Sequence, residues 1–433
     1  MKAFIAALAI VFAVPAWAAV EIEEVTSPGG ITAWLVEEHS IPFVALEIRF
    51  KGGASLDEPG KRGAINLMTG LLEEGTGDMD ARDFAAKSEE LAARFGFDVY
   101  NDSLVIEASV LTENRDEALE LLRKALIEPR FDQVAIDRVK GQVASIITSD
   151  TTDPNAIANE AFDKLAFGDH PYATSLNGTL DSLAALTRDD LIAAKDRVMA
   201  RDRVYVSAVG DITAEELGPL LDRLLGDLPE TGAPMPERAP MKLTGGVTVV
   251  EFDTPQSVVM FGHEGIERFD DDFFAAYVLN QIVGGQGFSS RLMSEVREKR
   301  GLTYGIGSYL VPMDHAELYV GQFASANERV AEAIQVVKDQ WAEIAANGVT
   351  DEELEQAKTY LTGAYPLRFD GNATIAGILV GMQTDGLPID YAETRNAQIE
   401  AVTQEDIKRV AARLMRPDDL RFVVVGKPVG LED

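Results

Sequence analysis

The chain repeats itself at a long and nearly constant interval, and this repeat constrains its fold more than any other feature. Residues 187–191 (TRDDL) have a counterpart at residues 403–407 (TQEDI), 216 positions later. Three further pairs have almost the same separation: Val209 and Val425, Glu117 and Glu332, Lys140 and Lys358. The repeats of a solenoid are only roughly 20 to 50 residues long. The interval therefore predicts a duplicated domain.

Within a half, strand-like and helical segments are mixed. Residues 43–50 have the pattern of a buried strand, and apolar periodicity predicts helices over 81–95 and 115–126. Strict βαβ alternation is missing, which favours an α+β fold with antiparallel sheets and helices packed on one face. Prolines and glycines indicate a linker at 226–245, so we expect homologous lobes at 19–225 and 246–433.

The first eighteen residues have the pattern of a secretory signal peptide. Lys2 precedes an apolar stretch over 3–14, and Ala16-Trp17-Ala18 forms an Ala-x-Ala end. The stretch is shorter than the roughly 20 residues that cross a bilayer. We therefore expect cleavage after Ala18, export to the periplasm and no membrane insertion.

Charge and cysteine content exclude several classes of function. The net charge of −33 argues against nucleic acid as a partner, whereas a basic peptide remains compatible. The chain has no cysteine, so disulfides, thiol nucleophiles and thiolate zinc sites are excluded.

The four histidines do not form a recognisable metal motif. His39, His170, His263 and His315 are far apart in sequence, and neither HExxH nor HxxEH occurs. We interpret His263 as a turn residue and His170 as a loop residue. An independent peptidase whose metal site is built from these histidines is the least favoured alternative.

A glycine cluster follows the apolar-periodic segment that ends near Ile282. It comprises Gly284, Gly285 and Gly287. The lysine of a phosphate-binding loop is missing, so the cluster is interpreted as a helix end and turn at which another backbone approaches closely.

The next segment, residues 291–300, has the pattern of a charged helix that Gly301 ends. A strand pattern begins at Leu302, which places Tyr304 among its first residues and Arg297 in the last helical turn. The guanidinium and the phenol can therefore converge on one point. The alternative is a solvated basic helix end beside a half-buried tyrosine.

Residues 284–304 resemble the insulinase/pitrilysin metallopeptidases, especially the branch that includes the subunits of mitochondrial processing peptidase. Residues 52–60, 75–76, 168–172 and 209–211 fit as well, so the resemblance extends over nearly the whole chain after the signal peptide. It implies two similar α/β-roll lobes that a linker joins like a clamshell.

The chain departs from this family where the catalytic members bind zinc. Residues 63–70 occupy the place of the HxxEH helix, with Asn66, Thr69 and Gly70 at the His, Glu and His positions. Ser145 and Ile146 lie where a third ligand is expected. These substitutions imply that the chain binds no metal or other cofactor and hydrolyses no peptide alone, because zinc belongs to a partner subunit.

The resemblance also implies a role for the second half. Arg297 and Tyr304 match a pair that holds the substrate carbonyl beside the zinc of the other lobe. We therefore expect a non-catalytic subunit that completes the site of a homologous, HxxEH-bearing zinc peptidase acting on peptides. Gly284, Gly285 and Gly287 match the position of a substrate loop in the non-catalytic mitochondrial subunit. The alternative is a structural or peptide-binding scaffold without a part in proteolysis.

Overall fold

The computed structural model describes residues 21–285 and 289–431. The expected signal peptide and Gly287 lie outside these residues. Within them, every helix is too short or too polar to cross a bilayer.

Two sheets organise the two halves. The strands of the first half are β1 (Glu23–Thr26), β2 (Thr32–Glu37), β3 (Phe43–Lys51), β4 (Gly75–Thr76), β5 (Met79–Asp80), β6 (Arg94–Val99), β7 (Ser103–Leu111) and β8 (Val204–Gly210). Those of the second half are β9 (Gly246–Glu251), β10 (Gln256–Glu264), β11 (Ile306–Pro312), β12 (Glu317–Ala326) and β13 (Arg421–Gly426). No helix or strand lies between residues 226 and 245.

Helices cover both sheets. The first half contains α1 (Ala64–Thr69), α2 (Ala81–Glu90), α3 (Arg115–Ile127), α4 (Gln133–Asp150), α5 (Pro154–Phe167), α6 (Leu180–Ala185), α7 (Arg188–Val198) and α8 (Ala214–Leu225). The second half contains α9 (Phe273–Val283), α10 (Val330–Asn347), α11 (Asp351–Ala364), α12 (Asn372–Thr384), α13 (Tyr391–Ala401) and α14 (Gln404–Leu414), and a π-helical segment at Met293–Glu298.

The sheet orders confirm the duplication. The first sheet is ordered β1-β2-β8-β3-β7-β6 and the second β11-β12-β10-β13-β9. After β1, the first order is the second read backwards with equivalent strands. One pair in each sheet is parallel, β2 with β8 and β9 with β13, and the remaining pairs are antiparallel. The antiparallel-rich α+β fold is therefore confirmed.

Repeated residues form repeated interactions. Thr187 and Thr403 each begin a helix with a capping box, in which the threonine hydroxyl accepts from the N–H of Asp190 or Asp406. Lys140 Nζ donates to Ala184 O at 3.2 Å, and Lys358 Nζ donates to Glu400 O at 3.1 Å. Such bonds satisfy carbonyl groups near a helix C-terminus in both halves.

Each sheet is also covered on its second face by a helix from the other half. Helix α5 packs Phe162 and Ala166 against Val423 and Val425 of β13. Helix α12 packs Leu379 and Met382 against strands of the first sheet. Helices were predicted on one face of each sheet, but they cover both faces. The second face is covered because each half contributes one helix to the other half's sheet.

Three local predictions need correction. The helix predicted over 81–95 ends at Glu90, because Ala92 adopts a left-handed conformation (φ 52°) and strand β6 begins at Arg94. The strand predicted from Leu302 begins at Ile306, so Tyr304 precedes it. The charged helix over 291–300 is π-helical between Met293 and Glu298. By contrast, β3 and α3 match the predicted segments closely.

Candidate functional site

Helix α1 occupies the place of a zinc-binding helix, and its N-terminus is held by a carboxylate. Asp57 accepts hydrogen bonds from the backbone N–H groups of Gly63 at 2.8 Å and Ile65 at 2.9 Å. Burial raises the pKa of Asp57, whereas these bonds and the charge of Arg62 counteract the rise. Because a helix leaves its first N–H groups without partners, this contact stabilises α1 without a metal.

The three positions of the degenerate motif do not fit zinc. The amide of Asn66 donates to Asn177 Oδ1 at 2.9 Å, and the buried hydroxyl of Thr69 donates to Ile65 O at 2.8 Å. Gly70 has no side chain and ends the helix. Zinc sites use thiolates, imidazoles and carboxylates. Within residues 21–285 and 289–431, no three residues of the metal-ligating types are grouped closely enough to hold a metal.

A cavity of about 490 Å³ lies beside the segment that precedes α1, and we call it the acidic cavity. Arg62 lines it together with three carboxylate residues, Asp150, Glu160 and Asp163. Burial raises the pKa of Asp163 to about 7. Sequence reasoning missed Asp163, although its position next to the buried Phe162 of α5 indicated partial burial.

The predicted Arg/Tyr pair lies on the segment that enters β11. Arg297 is half-buried in the π-helical segment, whereas the side chain of Tyr304 is 88% exposed in the loop before the strand. The turn between them is closed by backbone bonds from Gly301 N to Arg297 O at 2.8 Å and from Leu302 N to Val296 O at 2.9 Å. π-Helical segments are rare and occur frequently at functional sites.

The glycine cluster lies next to this segment. A Cβ atom on Gly284 would lie 2.3 Å from Ser308 Oγ and 2.7 Å from Ser308 N, so only glycine fits beside β11. Gly284 O accepts a hydrogen bond from Ser308 N at 2.8 Å. The close backbone approach expected here is thus present at Gly284.

A cavity of about 480 Å³, the clamp cavity, joins these predicted elements. Gly284, Gly285, Met293 and Gly305 line it, together with Asn155 at the start of α5. The acidic cavity is lined by the next residues of the same helix, including Ala156 and Asn159. The segment that leads into the degenerate helix and the Arg/Tyr segment therefore each line one of two cavities, and the first turns of α5 contribute residues to both.

The four histidines lie in separate surroundings, except that His170 and His315 are close to each other. His263, predicted as a turn residue, is 1% exposed in strand β10, where its Nε2 accepts from Trp341 Nε1 at 3.2 Å. Burial lowers the pKa of His263 to about 4. Hydrogen bonds with Asp211 and Glu37 raise the pKa of His39.

His170 and His315 meet where the two halves join. Their rings lie 6.2 Å apart, and Tyr172 contacts both. The hydroxyl of Tyr172 donates to Asp102 and accepts from the backbone N–H of His315. His170 is thus a loop residue, as expected, and this cluster ties the loop to the second half. The sequence does not reveal the cluster, because its members come from three separate segments of the chain, at residue 102, residues 170–172 and residue 315.

Comparisons with known proteins give matches in both halves of the chain. The family model described as "Insulinase (Peptidase family M16)" matches residues 33–180, and "Peptidase M16 inactive domain" matches residues 185–361. A crystal structure of a peptidase M16 inactive domain from Pseudomonas fluorescens is 30% identical, with a TM-score of 0.89 over 95% of this chain and 99% of that chain.

Curated relatives extend over the same length. A "non-peptidase homolog" of Helicobacter pylori is 28% identical over 393 residues, which cover 90% of each chain. An "uncharacterized zinc protease" of Streptomyces coelicolor is 25% identical over 402 residues, covering 90% of this chain and 86% of that protein. Together with the substituted ligand positions on α1, these matches identify the chain as an inactive member of the insulinase family of peptidases.

Proposed function

We propose that this chain is the non-catalytic subunit of an exported, heterodimeric zinc peptidase, and that it supplies Arg297 and Tyr304 to the substrate carbonyl. One observation carries the proposal: Tyr304 is 88% exposed in the loop six residues after the end of the π-helical segment that holds Arg297. A ring exposed to this extent is free to contact another molecule through its face and its hydroxyl group.

The chemistry of the pair suits the transition state of peptide hydrolysis. Attack of water on a peptide carbonyl places negative charge on its oxygen. A guanidinium and a phenol both donate hydrogen bonds, and the guanidinium adds a positive charge. Donors of this kind typically lower a barrier by roughly 3 to 4 kcal/mol. The metal and the general base must come from the partner, because Asn66, Thr69 and Gly70 do not supply them.

The surroundings of the pair support binding of an extended peptide. Strand β11 is the edge strand of its sheet and pairs with β12 alone among the described strands. The clamp cavity lies along this strand. An exposed strand edge offers backbone hydrogen bonds to an incoming peptide. The carboxylates of Asp150 and Glu160 in the acidic cavity favour peptides with basic side chains.

The test requires the partner, which we expect to be an exported homologue with HxxEH encoded by a neighbouring gene. Peptide hydrolysis is measured for each subunit and for the mixture. We expect only the mixture, and neither subunit by itself, to be substantially active. In the mixture, Arg297→Ala combined with Tyr304→Phe should lower kcat roughly 10²- to 10³-fold. Zinc in the partner should stay stoichiometric.

The matched control combines Arg223→Ala with Tyr360→Phe, two exposed residues on α8 and α11. It should leave the mixture's rate unchanged. A partner that is fully active alone, or a clamp variant as active as the control, refutes the role in catalysis. A variant that still forms the complex without any loss of rate supports the scaffold alternative.

Export is tested separately from catalysis. The mature protein is recovered from the periplasmic fraction and its N-terminus is sequenced. We expect it to begin at Ala19. An intact N-terminus on a cytoplasmic chain contradicts export and leaves the role of the Arg/Tyr pair untouched.

A further inference from the structure

A third cavity of about 490 Å³ in the second half has an unusual charge for this chain. Residues of α9, α12 and α13 form it, together with the segment after α11. Three arginines line this arginine cavity, Arg268, Arg368 and Arg395, against one acidic residue, Asp385. The whole chain has a net charge of −33. The cavity is therefore a locally positive site in a strongly acidic protein.

Aromatic rings hold two of these guanidinium groups. Arg268 Cζ lies 4.4 Å from the ring centre of Phe273, and its Nη2 donates to the hydroxyl of Tyr391 at 2.9 Å. Arg395 Cζ lies 4.2 Å from the ring centre of Tyr365. A guanidinium that stacks through its face keeps the N–H groups at its edge for an acceptor.

None of these arginines forms a close ion pair with a described carboxylate, although Asp385 in the same lining interacts with Arg268 at longer range. In the part of the chain that the structure describes, no carboxylate oxygen lies within 4.0 Å of Arg268, Arg368 or Arg395. By contrast, Arg409 and Arg413 of α14 form ion pairs with Asp272 at 2.7 Å and with Asp270 at 2.6 Å, just before the start of α9. The three arginines of the cavity thus face one acidic residue, Asp385, and make no close ion pair with it.

The lack of an ion pair is least favourable for Arg395, because this residue is buried. It is 5% exposed, and its hydrogen bonds run from Nη1 to Leu361 O at 3.1 Å and Asn396 Oδ1 at 2.9 Å. A buried cation is stable when a charge or several hydrogen bonds compensate it. Neutral carbonyls and a ring do so incompletely. An incoming anion therefore gains charge-assisted hydrogen bonds that no carboxylate of the described chain supplies.

We propose that the arginine cavity binds a carboxylate carried by an apolar or aromatic body. The planar guanidinium matches a carboxylate in a two-point contact. Phe273, Phe274 and Tyr277 provide walls for the apolar part. The volume falls within the range of ordinary ligand sites, about 300 to 1,000 Å³. The C-terminus of a peptide and a free organic acid share this chemistry.

Binding is measured by calorimetry on the mature full-length chain, without any partner, so the result does not depend on the proposed role in catalysis. The probes are N-acetyl-phenylalanine, N-acetyl-alanyl-alanyl-phenylalanine, the amides of both, and inorganic phosphate. We expect both acids to bind about tenfold or more tightly than their amides. Tighter binding of the tripeptide identifies a peptide C-terminus, and equal binding identifies a free organic acid.

Variants locate the binding to this cavity. Arg368→Gln changes an exposed residue and should weaken binding of the acids about tenfold without changing the melting temperature. Asp385→Asn removes the acidic residue of the lining and should tighten binding. The control Arg223→Gln lies on α8 of the first half and should change nothing. Equal binding of acid and amide, binding of phosphate alone, or an Arg368→Gln variant that binds like the wild type overturns the proposal.

Discussion

At the scale of single residues, burial moves the pKa of one carboxyl group, that of Asp163, into the neutral range. Asp163 lies in the wall of the acidic cavity, and burial is the cause that raises the pKa of its carboxyl group to about 7. The unfolded chain exposes this group to water, where its pKa is about 3.8. Between these two values the folded chain holds a proton that the unfolded chain has lost. The contribution of Asp163 to stability is therefore full below pH 3.8 and is lost as the pH rises through 7.

The substitution Asp163→Asn removes this dependence. Asparagine keeps the size of the side chain and cannot ionise. We expect the difference in unfolding free energy between variant and wild type to shift by about 1 to 3 kcal/mol in favour of the variant from pH 5 to pH 8. Urea denaturation at both pH values measures it. Parallel pH profiles for the two proteins contradict the pKa shift, and Asp169→Asn, at an ordinary loop position, is the control.

At the scale of elements, local sequence decided most boundaries. Helix α3 and strand β3 were predicted correctly because their apolar periodicity continues to their ends. The end of α2 was wrong because the left-handed turn at Ala92 is set by the pairing of β6 with β7, which no local pattern records. The π-helical segment was also missed, since its residues read as an ordinary helix.

The exchanged helices depend on a few large side chains. Phe162 of α5 is fully buried against the second sheet, and a Cβ atom on Gly262 would lie 3.1 Å from its ring. Phe162→Ala should lower the free energy of unfolding by about 3 to 5 kcal/mol, because it removes a buried ring and leaves a cavity. Denaturant titration measures the loss. Val134→Ala, at an exposed position on α4, should change stability little, and equal effects of both variants contradict this packing.

For the whole molecule, the exchange makes each half depend on the other. Without α12, the apolar residues Trp34, Val36, Ala45 and Val209 on one face of the first sheet lose their cover. Helix α5 protects the second sheet in the same way. In strand β13, Phe422 and Val424 face the main core of the second half, whereas Val423 and Val425 face the cluster that contains α5. The two halves are therefore similar in sequence, but each needs a helix of the other to cover its sheet.

Cutting the chain at residues 226–245 tests this dependence. Residues 19–225 and 246–433, produced together, should associate and purify as one complex that unfolds in a single transition. Each half produced alone should aggregate, because exposed apolar sheet faces associate. A soluble, monomeric half with cooperative unfolding contradicts the prediction. A cut within the β10–β12 pairing, which should abolish recovery of the complex, is the control.

The duplication and the fold class could be predicted from the order of the residues, and the resemblance to the insulinase/pitrilysin family implied the loss of the zinc ligands. These inferences depend on residue types at fixed positions: the repeat interval of about 216 residues, the local apolar periodicity, and the substitutions at Asn66, Thr69 and Gly70. Three features became visible only in the folded chain: the halves exchange helices, Gly284 and Gly285 line one cavity with the Arg/Tyr segment, and three arginines without a close ion pair line another. Such features depend on contacts between residues far apart in the chain, and packing of the whole molecule determines these contacts.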